Sequence, residues 1–514
     1  MGTAERLRMS FARDLTLQGF SAALAHAHGD RVLIVEAGTG KTHTANEIAH
    51  EADRIAALVN RRSTLNDRVV VALPNGWDFF VTCLGVMRAG RVVVPINAQM
   101  RADELEHVRT DSGATLVLKR LPKGAVKSAA AAGAVCSPSD VAAVLYTSGT
   151  TGLPKGAELT HRGLLAGVQR GAAVLPLAWR DDEVVFALPV AHVMGFSTLL
   201  GTLCSGVRTL VFDRFRPTEV LDAIETRASN AFIGVPTMYR MLEDAGARHR
   251  NLRSVRIWMS GADAMPPELI STFQSYGASA TLPLLGTPIG QALFVEGYGM
   301  VELSGGVATK ITPPYAGRWL NRPFAFPLPG NRMRVVDDQG NDVGHGRVGE
   351  LLVTGPGVFR GYRGNETETE RARTTEGWLR TGDLAKRRPF GVVELAGRAK
   401  NVIKVSGYSV FVAEIERVLR EHPLVDEAVV IGLPDQVRGQ SVGAVLRPAT
   451  GHQLSARDIE SVATFATERL SKYKVPTSWR TIEAFEQTAT GKVRREPLAA
   501  LFADTTASDM EPSG

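Results

Sequence analysis

From residue 67 onward the chain alternates short apolar runs with longer stretches of helical periodicity, and no other feature narrows its fold as far. "DRVVVAL" is followed by "GWDFFVTCLGVMRAG", then "RVVVPI", "ADELEHVRTDSG" and "TLVLKR". The short runs are valine-rich, as buried strands are, and the segments between them are long enough to cross back over a sheet. This rhythm predicts parallel strands covered by helices, the α/β class. It continues to about residue 330. From 333 to 363 short β-like pieces with glycine turns replace it, as in "MRVVDDQGNDVGHGRVGELLVTGPG". Further on, "FVAEIERVLREH", "VDEAVVIGLP" and "ARDIESVATFATERL" make a smaller α+β unit. A chain of 514 residues needs more than one core. We expect a large domain over 1–398, a second over 399–505, and a disordered tail over 506–514, which has no apolar anchor.

Composition narrows the function classes only a little. Apolar residues make up 44% and charged ones 22%, as in soluble globular proteins. The net charge of +6 comes without a long basic block, which argues against a nucleic-acid partner and suits an anionic small molecule equally well. Cys83, Cys136 and Cys204 show neither C-x-x-C nor Cys/His spacing, so no disulfide framework or zinc site is expected. That usage fits a reducing cytoplasm. The N-terminus lacks the apolar core of a signal peptide, and no apolar run approaches the ~18–20 residues of a membrane helix. Membrane contact would be peripheral at most.

Two stretches compete as phosphate loops. "VLIVEAGTGKTHTANEIA" (32–49) has a strand-like run, Gly38-Thr39-Gly40-Lys41-Thr42 and an amphipathic stretch. A P-loop ending at Lys41-Thr42 needs its first glycine at position 35, where Val35 stands, and a β-branched residue opposes that turn. A tight turn between strand and helix is the expectation here. "YTSGTTGLPKG" (146–156) is richer. Thr147, Ser148, Thr150 and Thr151 supply hydroxyls, Gly149, Gly152 and Gly156 leave backbone N–H groups open, and Lys155 adds a charge. Apolar "VAAVLY" before it and a helix-like run after it build this loop into a core, unlike a linker.

"YTSGTTGLPKG" resembles the signature loop of the acyl-adenylate-forming superfamily of acyl-CoA synthetases, luciferases and adenylation domains. Six more segments match in the family's order: "LPVAHVMGF", "FIGVPTMYRML" with "MSGADAMPPEL", "GYGMVE", "GWLRTGDLA", "GRAKNVIKVSGYSVFVAEIE" and "TATGKVRRE". The resemblance runs from about 20 to 500. It implies a large N-terminal adenylate-forming domain, built of two α/β subdomains and a small β-barrel-like part, followed by a smaller mobile α+β domain. It also implies two reactions: a carboxylate attacks the α-phosphate of ATP, and a thiol, usually that of CoA, then displaces AMP.

The family's residues carry over as follows. Lys492 would bridge carboxylate and α-phosphate, where two anions meet. Glu302 would hold Mg²⁺, a hard cation that one carboxylate and the substrate phosphates can satisfy together. Thr147 to Gly152 and Lys155 would bind the phosphates, Gly261, Ala262, Tyr298 and Gly299 the adenine side, and Asp383 with Arg398 the ribose. His192, Val235 and Gly297 would line the acyl pocket. Lys400 would be the hinge between two conformations, Lys404 would serve the second, and Gly407 would let the pantetheine arm of CoA pass. Lys472, Lys474, Arg494 and Arg495 are candidates for CoA phosphates.

The match breaks at Val301, where the family carries a threonine whose hydroxyl meets the adenylate phosphate; Ser148, Thr151 or Ser304 are candidate substitutes. Ser406 stands where acyl- and aryl-CoA members often have lysine. The stretch 277–296 is long and apolar and would either reshape the acyl pocket or pack on the surface. The reading is an AMP-forming acyl-CoA synthetase using ATP, Mg²⁺ and CoA on a fatty or aliphatic acid. Alternatives are an aryl acid, an acyl carrier protein as acceptor, or a binder that has lost catalysis. A homodimer is compatible with the sequence.

Overall fold

A computed structural model describes residues 12, 14–124, 135–147, 154–174, 182–281, 287–315, 322–405, 408–435, 438–449, 451–486 and 493–505. The chain is a mixed α/β protein with two compact units. The larger comprises residues 1–333 and 353–379, the smaller 334–352 and 380–514.

The larger unit holds two sheets. In the six-stranded one, Arg68–Val71 pairs in parallel with Val92–Pro95 on one side and Leu116–Leu118 on the other. These are three of the short apolar runs of the sequence, and the helices Trp77–Arg88 and Ala102–Ser112 are their crossovers. Beyond Val92–Pro95 come Val141–Thr147, the antiparallel Lys155–Thr160, and the short Gly361–Tyr362 at the edge. The second sheet runs Arg208–Val211, Glu183–Phe186, Ala231–Gly234, Ile257–Gly261 and Leu293–Met300 in parallel, then Gly305–Thr312 antiparallel. Its helix-covered face is an aromatic core in which Tyr239 meets Phe273 and Phe232 edge-on at 4.9 and 5.4 Å. The Tyr239 hydroxyl, fully buried, donates to the Met259 carbonyl at 2.7 Å, so the aromatic body is packed without orphaning its polar end.

The first phosphate-loop candidate turns out to be a β-hairpin. Val32–Glu36 turns through Gly38–Lys41 into the antiparallel strand Thr42–Thr44, and the helix Ala45–Asn60 starts only afterwards, capped reciprocally by Thr44 and Glu47. A P-loop needs its glycines at a helix N-terminus. Here the carboxylate of Glu36 occupies the base of the turn, holding His43 at 2.7 Å and Thr39 at 3.2 Å, which repels an anion. The expected strand–turn–helix is therefore corrected: a strand intervenes.

Stretch 277–296 is also placed in its described part. Ala280–Thr281 and Pro288–Ile289 form a small, largely exposed hairpin. Its neck is stapled by Arg253, whose guanidinium donates to the carbonyls of Gly277 at 2.5 Å and Gly290 at 3.1 Å. The described hairpin is thus surface structure, whereas Ala292, Phe294 and Val295 beyond it are buried in the sheet core.

His161, 2% exposed, opens the helix His161–Val174 and accepts the Leu17 N–H on Nδ1 at 3.1 Å. That N–H is one of the donors left open at the start of the helix Leu17–His28. Burial lowers the imidazole to about 4, against a weaker opposite pull from Asp140. The folded value lies below the ordinary 6.5, so the unfolded chain binds the extra proton and stability rises with pH between the two. As pH falls from about 6.5 to about 4, about 3 kcal/mol is lost from this group. Denaturant titrations across that range should show the slope. His161→Gln, which keeps an acceptor that does not titrate, should flatten it.

The smaller unit contains most of Val348–Thr354 and of Leu379–Arg387, with Val393–Arg398, as adjacent strands, and a separate five-stranded sheet. In the latter, Val425–Asp435 and Gly439–Pro448 form a long antiparallel pair. The helices Val412–Arg420 and Ala456–Arg469 cover it, burying Ile415, Leu419, Val462 and Ala466 against Val430 and Ala444.

Candidate nucleotide site

The signature loop is clamped at its base. Thr147 and Lys155 face each other as register partners of two antiparallel strands, with Tyr146 opposite Gly156. A Cβ on Gly156 would lie 2.8 Å from Val144 and 3.0 Å from the Tyr146 ring, so the close approach of these strands requires glycine there. The Tyr146 hydroxyl, pushed up by burial and then by its bond to Asp111, donates to that carboxylate at 2.7 Å and ties the hairpin to the neighbouring helix. Ser148, Gly149, Thr150, Thr151 and Gly152 lie outside the described residues.

Lys155 and Glu302, far apart in sequence, meet around one tyrosine. Lys155 Nζ lies 2.5 Å from Glu368 and 5.7 Å from the centre of the Tyr362 ring. The Tyr362 hydroxyl donates to Glu302 Oε1 at 2.7 Å, and the Phe359 N–H donates to the Glu302 carbonyl at 2.9 Å. Glu302 rides on the single turn Val301–Leu303 that follows the strand Leu293–Met300. Sequence reasoning missed Tyr362 and Glu368. They sit in "RGYRGNETE", where no spacing links them to the loop; the link is made by the edge strand Gly361–Tyr362 pairing with Ala157 and Glu158. The bond from Lys155, followed by that from Arg371, holds the Glu368 carboxyl below its usual range.

These residues fit a metal that arrives with its ligand. No cluster of three or more His, Cys, Asp or Glu capable of holding a metal occurs among the described residues. A single carboxylate beside a lysine suits Mg²⁺ whose other ligands are phosphate oxygens and water.

The other expected residues of this unit gather at the carboxyl ends of the parallel strands, where open α/β sheets bind ligands. Gly261 and Gly297 are register partners, and a Cβ on Gly261 would lie 3.1 Å from the Met194 methyl. Ala262 follows at φ 69°. Tyr298 is half-buried opposite Ala308, and Gly299 is so close to the next strand that a Cβ would lie 1.9 Å from the Gly305 carbonyl oxygen. His192 caps the helix Val193–Ser205, its Nδ1 accepting the Met194 N–H at 3.4 Å. Val235 is buried at the head of the helix Pro236–Asp244. Val301 is buried too. Ser304, one candidate substitute for the missing threonine, is committed elsewhere: it is buried at φ 57° and donates to the Gly357 carbonyl at 2.8 Å.

In the smaller unit, Asp383 and Arg398 are register partners and form an ion pair at 3.0 Å. Lys400 is exposed on the turn Ala399–Asn401, and Lys404 lies in the strand Val402–Val405 opposite Ser409. Gly407 and Lys492 lie outside the described residues. Three of the four basic residues considered for CoA phosphates have internal partners, Arg494 reaching Glu486 only at 4.0 Å. Lys474 bonds Glu414 at 2.8 Å, and Arg495 bonds Glu416 at 2.6 Å and the Val430 carbonyl at 2.8 Å.

Comparison with known proteins matches residues 21–363 to the AMP-binding enzyme family and 414–492 to the AMP-binding enzyme C-terminal domain. The chain is 30% identical over 498 residues to the fatty acid–[acyl-carrier-protein] ligase ScoC of Streptomyces coeruleorubidus, covering 90% of this chain and 92% of ScoC. It is likewise 30% identical over 485 residues to a feruloyl-CoA synthase of an Amycolatopsis species, covering 89% and 94%. Among solved structures, ATP-bound MatB from Rhodopseudomonas palustris superposes with a TM-score of 0.81 at 26% identity, covering 96% of this chain and 100% of MatB.

Proposed function

The chain belongs to the AMP-binding enzyme family, and on that premise we propose that it is an AMP-forming ligase that activates a fatty or other aliphatic acid and passes it to CoA. The observation that carries this reading is the meeting of Lys155 and Glu302 around Tyr362 at the base of the signature loop. In the first step a carboxylate oxygen bonds to the α-phosphorus of ATP as the bond to the bridging oxygen breaks and pyrophosphate leaves. In the second a thiolate sulfur bonds to the acyl carbon, AMP leaves with the acyl C–O electron pair, and the thiol proton goes to solvent.

Lys492 places its ammonium between carboxylate and α-phosphate, lowering the repulsion of two anions. Lys155 and the loop hydroxyls hold the β- and γ-phosphates, so Lys155 exchanges Glu368 for phosphate when nucleotide binds. Mg²⁺, when bound, neutralises phosphate charge, and Glu302 is the residue that holds it. Asp383 and Arg398, already paired, meet the ribose. His192, Val235 and Gly297 line the acyl side. Lys400 and Lys404 serve hinge and thiol step from a domain that begins near 399, and Gly407 clears the pantetheine path. We place the enzyme in the cytoplasm; no helix among the described residues is long and apolar enough to cross a membrane.

A second reading has a specific support. The ScoC relative is named for an acyl carrier protein, and Lys474 and Arg495 are engaged within their own unit, which leaves fewer cations for CoA phosphates. The acceptor would then be a carrier-protein phosphopantetheine. The test is acid-dependent pyrophosphate release from ATP and Mg²⁺ across fatty and aryl acids, with CoA or holo-carrier supplied in turn. Stimulation by one acceptor alone decides between them. Silence across the panel with intact ATP binding overturns the ligase in favour of a binder.

Val301→Thr belongs in the same assay. The buried valine keeps the shape of the turn and lacks a donor to phosphate, a bond worth about 1–3 kcal/mol when the acceptor is charged. With Ser304 committed to Gly357, the substitution should raise the adenylation rate about tenfold. An unchanged rate would mean another donor already serves that oxygen.

A further inference from the structure

The proposed reading gives Glu302 to the metal and Lys155 to the phosphates, and leaves unexplained what keeps the two in register. Neither sits inside a long rigid element. Glu302 is on a three-residue turn, and Lys155 is the first residue of its strand, next to the loop. A carboxylate on so short a turn has open χ angles, and each freely rotating side chain must be ordered before it can ligate.

We propose that Tyr362 is a positioning residue that sets the Glu302 carboxylate for the metal–nucleotide complex while bracing Lys155. Its hydroxyl donates to Oε1 at 2.7 Å, which fixes the carboxylate plane and leaves Oε2 for a cation. Its ring faces the Lys155 ammonium at 5.7 Å, within cation–π range. The tyrosine itself is held from both sides. Its backbone N–H donates to Thr369 Oγ1 at 2.9 Å, and its strand pairs with the one Lys155 begins, Tyr362 opposite Ala157. The ring of Phe359 packs edge-on against it at 4.9 Å.

Hydrogen-bonded groups behind a ligating carboxylate tune metal affinity, and their loss commonly costs 10- to 100-fold. Here the metal shares its other ligands with ATP, so a smaller effect is expected. This inference rests on the metal role proposed for Glu302, and the experiment separates the two. Calorimetry of ATP binding is run with MgCl₂ and with EDTA, alongside pyrophosphate release as a function of Mg²⁺ concentration, for wild type, Tyr362→Phe, Thr369→Val and Glu302→Gln. Tyr362→Phe removes one oxygen and keeps the ring. It should raise the Mg²⁺ concentration at half-maximal rate about three- to tenfold and shrink the gain in ATP affinity that Mg²⁺ confers. Thr369→Val should move both in the same direction by less. If Tyr362→Phe shifts only the melting temperature while Glu302→Gln abolishes the metal dependence, Tyr362 is packing and the inference fails alone. If Glu302→Gln leaves the metal dependence intact, the metal role of Glu302 fails, and the inference with it.

Discussion

Replacing Lys492 by alanine should lower acid-dependent pyrophosphate release at least a hundredfold, while transfer of the acyl group from supplied acyl-adenylate to a thiol proceeds at close to the wild-type rate. The reason is electrostatic. The first step brings a carboxylate against a polyphosphate, and a preorganised cation at the point of contact is worth ~3 kcal/mol or more, as for other groups aimed at developing charge. The second step begins from a mixed anhydride in which that contact no longer exists. Lys492→Arg keeps the charge but spreads it over a planar fork, so it should recover only part of the rate. A loss below tenfold in Lys492→Ala, or an equal loss in both half-reactions, would remove the lysine from the role proposed for it.

What the sequence made legible, and what it hid, divides along a physical line. The valine-rich runs 69–71 and 92–94 became parallel strands because a strand buried on both faces leaves a continuous apolar signature, and the shorter apolar run 116–118 joined them as a half-buried edge strand. Gly156, Gly261 and Gly299 were legible because a missing Cβ is written in the sequence itself, and each has a close neighbour where that Cβ would be. Tyr362 and Glu368 were not, because what makes them part of the site is an edge strand that returns after just over two hundred residues to pair with the loop's own strand. No local spacing encodes such a contact. The hairpin at Gly38–Lys41 misled for the opposite reason. Its residue types are those of a phosphate loop, and only the pairing of Val35 with Thr42 shows that a strand, not a helix, follows. Val301 and Ser304 show a third limit: the missing hydroxyl was readable, but the commitment of its nearest substitute to Gly357 is a fact of packing.

Arg495→Ala should destabilise the smaller unit by about 2–4 kcal/mol, because it strands a buried charge. Glu416 is 6% exposed, and its Oε1 accepts both the Arg495 guanidinium at 2.6 Å and the Val430 N–H at 2.9 Å. The same guanidinium donates to the Val430 carbonyl at 2.8 Å. Val430 lies in Val425–Asp435, whose one ladder partner among the described strands is Gly439–Pro448. The ion pair therefore closes both backbone groups of a strand residue, as a neighbouring strand would. Losing the arginine leaves a carboxylate with a single N–H and a carbonyl with no donor. Glu416→Gln is expected to be milder, since the amide oxygen still accepts from both groups. The decisive comparison is the double variant. Glu416→Gln with Arg495→Ala has no stranded charge, so it should be more stable than Arg495→Ala alone, a non-additivity that a pair of independent surface residues would not show. Denaturant unfolding of the full chain, followed by a probe in the smaller unit, reads this directly. Arg494, two residues after Lys492 in sequence, donates its N–H to the Glu486 carbonyl at 2.8 Å, and Arg495 anchors the chain next to it. Loosening that anchor should cost the adenylation step more than the thiol step, for the same reason that removing Lys492 does. If both steps fell together in proportion to the loss of stability, the pair would be a structural staple with no hold on the lysine.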